Sequence, residues 1–354
     1  MRRETIKNTL QLIAVVFCLY IYYANAETVI SSVRDGIDLC YNTVIPSLFI
    51  FMIICNLIAE SDYSRCIATP FMPYFRLLNI NDKRIASLCV LGIAGGFATG
   101  AVMLDKINNE YNCSTDTLKI LALIMSLNSP SFVILAAGLQ YIGNIHSGMI
   151  IYFSGLISTL VTAFVMSFFC PCNIEKNNII PEKTTNDFIT PIKNAVNSVI
   201  YICGVVIFTS TICKVLSLYI TNLLISGFFS VFCEVTAGCD TVFSIYGKNI
   251  YWLSFATFVL PLSAFLQIKS IGSNFKLQLK SLVLARIAQL PVAFVILRVL
   301  LNLFPYSLSV YANGDVRINL YWNSPQLSLC LFLLAVCFLI FLDKKAVLFT
   351  KSKK

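Results

Sequence analysis

Long apolar stretches alternate with short polar connections along most of this chain. A membrane-spanning helix needs about 20 predominantly apolar residues, and ten stretches approach that length. The ten segments are Asn8–Ala26, Leu39–Ala59, Ile85–Leu104, Ile120–Ile145, Ser147–Cys170, Asn194–Cys213, Val215–Cys233, Asn249–Ile268, Ser281–Leu303 and Ile318–Leu342. The pattern predicts an all-α polytopic membrane protein, in which segments interrupted by Gly, Pro or polar pairs are broken or re-entrant.

Composition supports this interpretation. Of the 354 residues, 58% are hydrophobic and 12% are charged, whereas soluble domains carry about 25% charged residues. So few charges cannot cover a water-exposed globule, and soluble classes are excluded. The net charge of +9 is therefore better interpreted by position, as an orientation signal, than as a nucleic-acid patch.

The positions of Lys and Arg predict an orientation, because cytoplasmic loops hold the excess of basic residues. If all ten segments cross, the inner side receives the N-terminus, residues 60–84, residues 269–286 and the tail. The outer side receives Arg34, Lys106, Lys119, Lys176, Lys183, Lys193, Lys248 and Arg317, half as many as the inner side. We therefore expect both termini to be cytoplasmic.

The first segment has an alternative interpretation. Arg2 and Arg3, an apolar run and then Ala24-Asn25-Ala26 before Glu27 resemble a cleavable signal peptide. The run is also long enough to span, and we favour a retained first helix.

Polar residues divide the chain near its middle. We expect residues 1–170 to form a first transmembrane repeat, 171–190 a polar linker, 191–342 a second repeat and 343–354 a basic cytoplasmic tail. Because each half would hold five segments, an odd number, the second half would run opposite to the first. Inverted repeats of this kind are common in secondary transporters.

Each half contains segments broken by Gly, Pro or polar residues, which is the best sequence indication of a transport site. Pro130 and Pro261 are expected to interrupt their helices. An intramembrane acid is expensive and by default suggests function, which draws attention to Glu234. The candidate substrate-binding residues are Gly95, Gly96, Thr99, Gly100, Asn128, Ser129, Pro130, Ser131, Glu234, Thr236, Ser263 and Gln267.

Structural roles are the alternative for these residues. The glycines could serve close helix packing, and Glu234 could pair with Lys214, Arg286 or Arg298. A membrane scaffold without transport activity would use them in this way.

Enzymatic and metal chemistry find little support. The chain has one histidine, so a zinc or haem site has few ligands to draw on. Most cysteines fall inside apolar runs, where free Cys behaves as a small hydrophobe; a redox pair at Cys170 and Cys172 is the alternative. We expect no catalytic residues, no metal and no cofactor.

Five short motifs, in order, resemble the YlbJ-type sporulation integral membrane proteins, which carry two nucleoside-recognition (Gate) domains. The motifs are Val44–Phe51, Gly96–Ala101, Asn128–Phe132, Glu234–Cys239 and Ser263–Gln267. The resemblance runs from about residue 40 to residue 300. It departs from the family pattern at Ile50 and Ala98, where prolines are usual, and at Leu260–Leu262, where glycines are usual.

The resemblance implies a bacterial cell-membrane transporter that moves dipicolinic acid into the developing spore, across the outer forespore membrane. It implies a small anionic solute as ligand, with the lipid bilayer as surroundings. A permease for nucleosides or other neutral solutes is the alternative suggested by the domain name. We expect no nucleic-acid partner, and self-association is left open.

Overall fold

The structure is a computed structural model that describes residues 9, 12–13, 16, 19–61, 64–176, 189–271 and 279–305. The first half contains α1 (Ala26–Leu39), πA (Cys40–Val44), α2 (Ile45–Glu60), α3 (Ser64–Ala68), α4 (Met72–Leu77), α5 (Lys83–Glu110), β1 (Tyr111–Cys113), α6 (Thr115–Met125), πB (Phe132–Ile142) and α7 (Ile145–Phe169). The second half contains β2 (Ile174–Lys176), α8 (Ile189–Ser217), α9 (Leu223–Cys233), α10 (Val235–Tyr246), α11 (Ile250–Phe258), α12 (Leu262–Ile271) and α13 (Leu279–Leu303). Part of the first predicted segment, most of the linker, the segment Ile318–Leu342 and the tail 343–354 lie outside the described residues.

The described residues are mainly helical, and several helices suit a membrane. By length and composition, five of the described helices could cross one: Lys83–Glu110, Ile145–Phe169, Ile189–Ser217, Ile250–Lys269 and Lys280–Leu303. These helices are compatible with the predicted all-α integral membrane protein.

Helix α5 is folded back on itself at Gly96. Its 28 residues would extend about 42 Å if straight. Instead the Arg84 guanidinium contacts the Glu110 carboxylate at 2.8 Å, and a Cβ on Gly92 would lie 3.1 Å from Cα of Gly100. Gly96 has φ of 81°, a left-handed conformation that glycine adopts at little cost. We call this element hairpin 1; both of its ends lie together, so it does not cross as a single span.

Helices α9 and α10 form a second hairpin. A Cβ on Gly238 would lie 2.7 Å from Cα of Val231, and a Cβ on Gly227 would lie 3.0 Å from Cδ1 of Ile245. In each pair, one residue precedes Glu234 and the other follows it. The extended backbone of Glu234 (φ −155°, ψ 136°) separates the two helices. Hairpin 2 is therefore an antiparallel pair of short helices with Glu234 at its tip.

Two interrupted helices connect the apolar clusters that surround the hairpins. One cluster contains residues of hairpin 1 and α6; the other contains residues of hairpin 2 and πB. The first interrupted helix, α6–πB, starts in the first cluster with Leu118 and ends in the second with Ile142. The second, α11–α12, starts in the second cluster with Ile250 and reaches the first with Ile268. Each interrupted helix therefore runs the length of the bundle.

Contacts identify the chain segments that meet at each end of the bundle. We call the end that contains Glu60 and both ends of hairpin 1 the near end, and the opposite end the far end. At the near end, Lys106 pairs with Glu60 at 3.3 Å, and β1 pairs with β2 antiparallel, with Tyr111 opposite Lys176. At the far end, the Asn25 amide donates to the Tyr219 hydroxyl at 2.9 Å, and the turn at Gly143 lies beside Lys248.

The contacts at the near end correct part of the sequence prediction that assigned Lys and Arg residues to the inner and outer sides of the membrane. That assignment placed residues 60–84 and Lys106 on opposite sides because it treated Ile85–Leu104 as a single crossing. A hairpin returns the chain to the side from which it came, so Lys106 and the neighbouring β1 lie with Glu60. Strand β2, with Lys176, is held at the same end by β1.

The seventh predicted segment, Val215–Cys233, is not a single helix in the structure. Residues 215–222 contain the end of α8 and a turn rather than the start of a span. Asn222 caps α9 by accepting from the amides of Leu224 and Ile225, so the apolar run that begins at Val215 is shared between two elements. Glu234 consequently lies inside a hairpin rather than beyond a crossing.

The long helix α8 packs against α1 and α2. A Cβ on Gly36 would lie 3.2 Å from Cα of Ile207, and Lys214 pairs with Asp35 at 2.5 Å. Apolar residues of πA, α2 and α8 share a third cluster with Ala98 of hairpin 1. The α1–α2 and α8 pair therefore forms one wall against which hairpin 1 rests.

The fold of hairpin 1 predicts energetic coupling between Arg84 and Glu110. In a double-mutant cycle of Arg84→Met and Glu110→Gln, we expect a coupling of about 0.5–3 kcal/mol, as found for contacting residues. Thermal denaturation in detergent micelles would measure it. The matched pair Asp116 and Lys119, which is partly exposed with spacing i,i+3, should give no more than about 0.5 kcal/mol. Zero coupling would contradict a stabilising contact between Arg84 and Glu110 at the two ends of hairpin 1.

Candidate functional site

A cavity of about 50 Å³ lies where the tips of both hairpins approach the breaks of the interrupted helices. A water molecule needs roughly 10–15 Å³ of such space, so the cavity could hold a few waters or a small polar group. We call it the central cavity. Its lining residues are Val44, Leu48, Gly95, Gly96, Phe97, Ala98, Asn128, Ser129, Phe132, Ile202, Val206, Glu234, Val235, Thr236 and Gln267.

The tip of hairpin 1 touches the break of α6–πB directly. A Cβ on Gly96 would lie 2.7 Å from the backbone nitrogen of Ser129. Glycine is therefore required here for two reasons, the positive φ and the close approach of another backbone. Gly95 and Gly96 place main-chain atoms, rather than side chains, at the cavity wall.

The break of α6–πB extends over residues 126–129. Asn128 is 7% exposed, and its amide donates to the Thr257 carbonyl at 2.6 Å. Thr257 lies near the end of α11, so this bond joins the two interrupted helices. The Ser129 hydroxyl accepts from the amide of Phe132 at 3.2 Å and satisfies one of the free N–H groups at the start of the following helix.

Glu234 caps the helix that follows it. Its side chain is buried (2% exposed), one carboxylate oxygen accepts from the Ala237 amide at 2.7 Å, and the other from the Thr236 hydroxyl at 3.3 Å. Among the described residues, no basic nitrogen lies within ion-pair distance. A helix N-terminus stabilises a carboxylate by up to about 2 kcal/mol, whereas desolvation of an ion costs several kcal/mol. The cap therefore offsets only part of the cost of an ionised Glu234.

The alternative structural roles considered for Glu234 involved Lys214, Arg286 or Arg298. Lys214 pairs with Asp35, and Arg286 binds neutral oxygens on other helices. Arg298 is exposed. In the described part of the chain, none of these three pairs with Glu234.

The sequence candidates divide into two groups. Seven of them line the central cavity: Gly95, Gly96, Asn128, Ser129, Glu234, Thr236 and Gln267. The other five, which lie behind the wall, are Thr99, Gly100, Pro130, Ser131 and Ser263.

The residues behind the wall support it. The Thr99 hydroxyl donates to the Gly95 carbonyl at 3.2 Å. A Cβ on Gly100 would collide with the Met125 carbonyl oxygen, which matches the packing alternative considered for the glycines. Ser131 contacts Ser129 through its hydroxyl, and Ser263 is buried in α12.

Both helices are interrupted beside these two prolines, as the sequence predicted, and each proline lies where the second part of its helix begins. Pro130 is the first helical residue after the break, and Pro261 immediately precedes α12. The first helical position needs no N–H donor, and the fixed φ of proline suits it. The prolines therefore start the second parts of the interrupted helices.

Sequence reasoning missed the apolar wall of the cavity. Val44, Leu48, Phe132, Ile202 and Val206 line it. Val44, Leu48 and Phe132 belong to motifs of the resemblance, but none of the five was a candidate site residue. The packing of α8 against πA and α2 brings Val44, Leu48, Ile202 and Val206 to the cavity, and the break of α6–πB brings Phe132.

Arg286 is the second buried charge, and the sequence count had placed it in a cytoplasmic loop. It is 4% exposed and donates to the Leu123 carbonyl at 2.9 Å and to the Ser126 hydroxyl at 2.8 Å. It also donates to Thr159 at 3.2 Å and to Gln289 at 2.5 Å. A cation is stabilised at a helix C-terminus, and Arg286 occupies that place at the end of α6. It fixes the break whose next residues, Asn128 and Ser129, line the cavity.

The described residues show no grouping of three His, Cys, Asp or Glu side chains that could hold a metal ion. Cys170 and Cys172 are both free thiols.

The chain matches no protein-family model, no curated protein and no solved structure. The resemblance to the YlbJ-type proteins therefore stays an expectation.

Gly96→Ala is predicted to destabilise the fold. The positive φ alone should cost about 1–3 kcal/mol, and the contact with Ser129 adds to this. Gly204→Ala is the matched control because nothing lies within 4 Å of its Cβ position. Melting temperatures of fluorescent fusions in detergent would compare the two variants. Equal melting temperatures would contradict the left-handed tip.

Arg286→Met is predicted to cost about 1–3 kcal/mol, because the Leu123 carbonyl and the other neutral oxygens that it contacts stay buried without a donor. Arg298→Met, on the exposed side of the same helix, should have little effect. Thermal denaturation in the same detergent measures both. A small loss at Arg286 would show that its partners find water when the guanidinium is absent.

Proposed function

We propose that this protein is a membrane transporter for a small polar solute, and that the central cavity is its binding site. The observation that carries the proposal is the meeting of two helical hairpins and two interrupted helices at one cavity whose wall contains buried polar residues. Non-helical backbone at membrane depth is tolerated where it is buried in protein or lines a wet cavity. Three of the four breaks supply lining residues of this cavity. This arrangement is expensive for a scaffold and suits a site that binds and releases a solute.

The order of elements supports an inverted repeat. Each half has a long helix, a hairpin, an interrupted helix and a further helix. In the first half these are α1–α2, hairpin 1, α6–πB and α7; in the second they are α8, hairpin 2, α11–α12 and α13. Hairpin 1 opens toward the near end and hairpin 2 toward the far end, as opposite orientation of the halves requires. Transporters with inverted repeats bind substrate at the repeat interface, between discontinuous helices.

Three helix starts support an anionic solute. Among the lining residues, Phe97 and Ala98 begin the second arm of hairpin 1, Phe132 begins πB, and Val235 and Thr236 begin α10. Helix N-termini carry free N–H groups and partial positive charge, which favour carboxylates. The negative end of α6 is meanwhile covered by Arg286. The small dianion dipicolinate, which the YlbJ-type resemblance implies, is our leading candidate, and sporulation is the implied setting.

A neutral solute is the second candidate, because Glu234 contributes a carboxylate to the same wall. Amide groups of Asn128 and Gln267 and the hydroxyls of Ser129 and Thr236 could recognise a nucleoside or another neutral solute. This candidate requires no change in the charge of Glu234.

We propose that the near end faces the cytoplasm. Elements at that end carry Arg65, Arg76, Lys83, Arg84, Lys106, Lys119, Lys176, Lys193, Lys269 and Lys280. Elements at the far end carry fewer basic residues, namely Arg34, Lys214, Lys248 and Arg298. The excess follows the rule that basic residues stay inside, and it is compatible with a bacterial cell membrane and cytoplasmic termini.

Uptake into proteoliposomes tests the transport proposal. Purified full-length protein should take up labelled dipicolinate above protein-free vesicles, and excess unlabelled dipicolinate should compete. Asn128→Leu removes the bond to Thr257 and should reduce initial uptake about tenfold, if the lost binding is near 1.4 kcal/mol. Asn112→Leu, on the exposed part of β1, is the matched control.

The outcomes separate the candidates. Uptake of a nucleoside without uptake of dipicolinate would favour the neutral solute. Uptake of neither, by protein that melts cooperatively, would contradict the transport proposal and leave the scaffold alternative.

A further inference from the structure

We infer that Glu234 binds a proton whenever the central cavity closes around its solute, so that each anion is carried together with a proton. The inference rests on the proposed transport of an anion and adds the coupling ion and its binding group. The proton comes from water on one side of the membrane, bonds to a carboxylate oxygen of Glu234, and returns to water on the other side.

The geometry leaves the carboxylate without a counter-charge. Glu234 lies at the tip of hairpin 2, is 2% exposed and lines the cavity. Its oxygen contacts are the Ala237 amide and the Thr236 hydroxyl. Within the described ranges, no Lys, Arg or His nitrogen approaches it within 4.0 Å.

The titratable groups around Glu234 supply no cation either. The groups that interact electrostatically with Glu234 are Cys40 of πA, Tyr141 of πB, Cys213 of α8, Cys233 of α9, and Cys239 and Asp240 of α10. Tyr141 already donates its hydroxyl to Asp240. Asp240 adds a second acid on the same helix, which makes an ionised Glu234 less favourable.

The Thr236 hydroxyl allows both protonation states. When Glu234 is ionised, Thr236 donates to it across 3.3 Å. When Glu234 is protonated, the acid can donate to the same hydroxyl oxygen, because a hydroxyl both donates and accepts. The Ala237 amide contacts the other carboxylate oxygen, so α10 keeps its cap while the proton binds or leaves.

An anion in the cavity makes the proton necessary. Two like charges in a water-poor site repel strongly, since the interaction grows as the effective dielectric constant falls. Protonation of Glu234 removes this repulsion and the cost of burying the carboxylate. When the cavity opens to water, the acid is solvated, loses its proton and disfavours rebinding of the anion. Intramembrane acids serve as proton relays in pumps and transporters for the same reasons.

Proteoliposomes containing a trapped pH-sensitive dye test this inference. With dipicolinate outside, wild-type protein should acidify the lumen as it takes up the anion. Initial uptake should rise by up to about tenfold for each unit by which the outer pH falls, the limit for one linked proton. Glu234→Gln should exchange labelled for unlabelled dipicolinate without acidification and with little pH dependence. The variant keeps an amide oxygen that can accept from Ala237, so the cap is preserved.

Asp105→Asn is the matched control, because Asp105 is a half-buried acid in hairpin 1 outside the cavity lining. It should retain acidification. Loss of acidification in Asp105→Asn but not in Glu234→Gln would assign the proton to the wrong acid and overturn the inference.

The remaining outcomes distinguish the two proposals. Wild-type uptake of dipicolinate without acidification would overturn proton coupling and leave transport intact. Acidification by Glu234→Gln equal to wild type would also overturn it. Absence of any uptake by wild type would contradict the transport function and this inference with it. If Glu234→Gln does not fold, the wild-type dye signal and its pH dependence still decide whether a proton moves.

Discussion

Peptide N–H and C=O groups that are freed inside an apolar bundle must find partners without bulk water, and this constraint organises the structure. The break of α6–πB and the tip of hairpin 2 each meet it with specific groups. Ser129 accepts from the first turn of the helix after the α6 break, and Arg286 covers the carbonyls at the end of α6. Glu234 accepts from the first turn of α10. Because most of these partners lie at the cavity or next to it, the groups that satisfy the backbone also set the polarity of the site.

The two buried charges follow from the same constraint. Arg286 lies at the negative end of one short helix, and Glu234 lies at the positive end of another. Each reduces the local field of the helix that it caps. They differ in their access to the central cavity: Arg286 is enclosed by hydroxyl, amide and carbonyl oxygens of other residues, whereas Glu234 lines the cavity. A fixed charge suits the first place, and an exchangeable proton suits the second.

The polar residues that line the cavity were easier to predict from the sequence than the fold of the backbone around them. Glu234 and Asn128 are conspicuous because polar residues are costly in apolar segments, and both line the cavity. The hairpins were harder to predict, since Lys83–Glu110 contains enough apolar residues for a full crossing and only the left-handed conformation of Gly96 turns it back. Arg286 was assigned to a loop because all its oxygen partners except Gln289 lie more than 100 residues away, and no local pattern reveals such contacts. Whether the halves repeat, and where the termini lie, stay predictions.

The position of Arg286 has a consequence for biogenesis. The helix that it caps belongs to the first half of the chain, but Arg286 is synthesised in the second half, after hairpin 2 and both parts of α11–α12. Until α13 is in place, the last carbonyls of α6 lack the guanidinium that donates to them. Until α11 is in place, the Asn128 amide lacks its acceptor, the Thr257 carbonyl. The first half therefore leaves the ribosome with its central break incomplete. Its maturation has to wait for the second half, which makes the chain a single unit of assembly rather than two units that fold in succession.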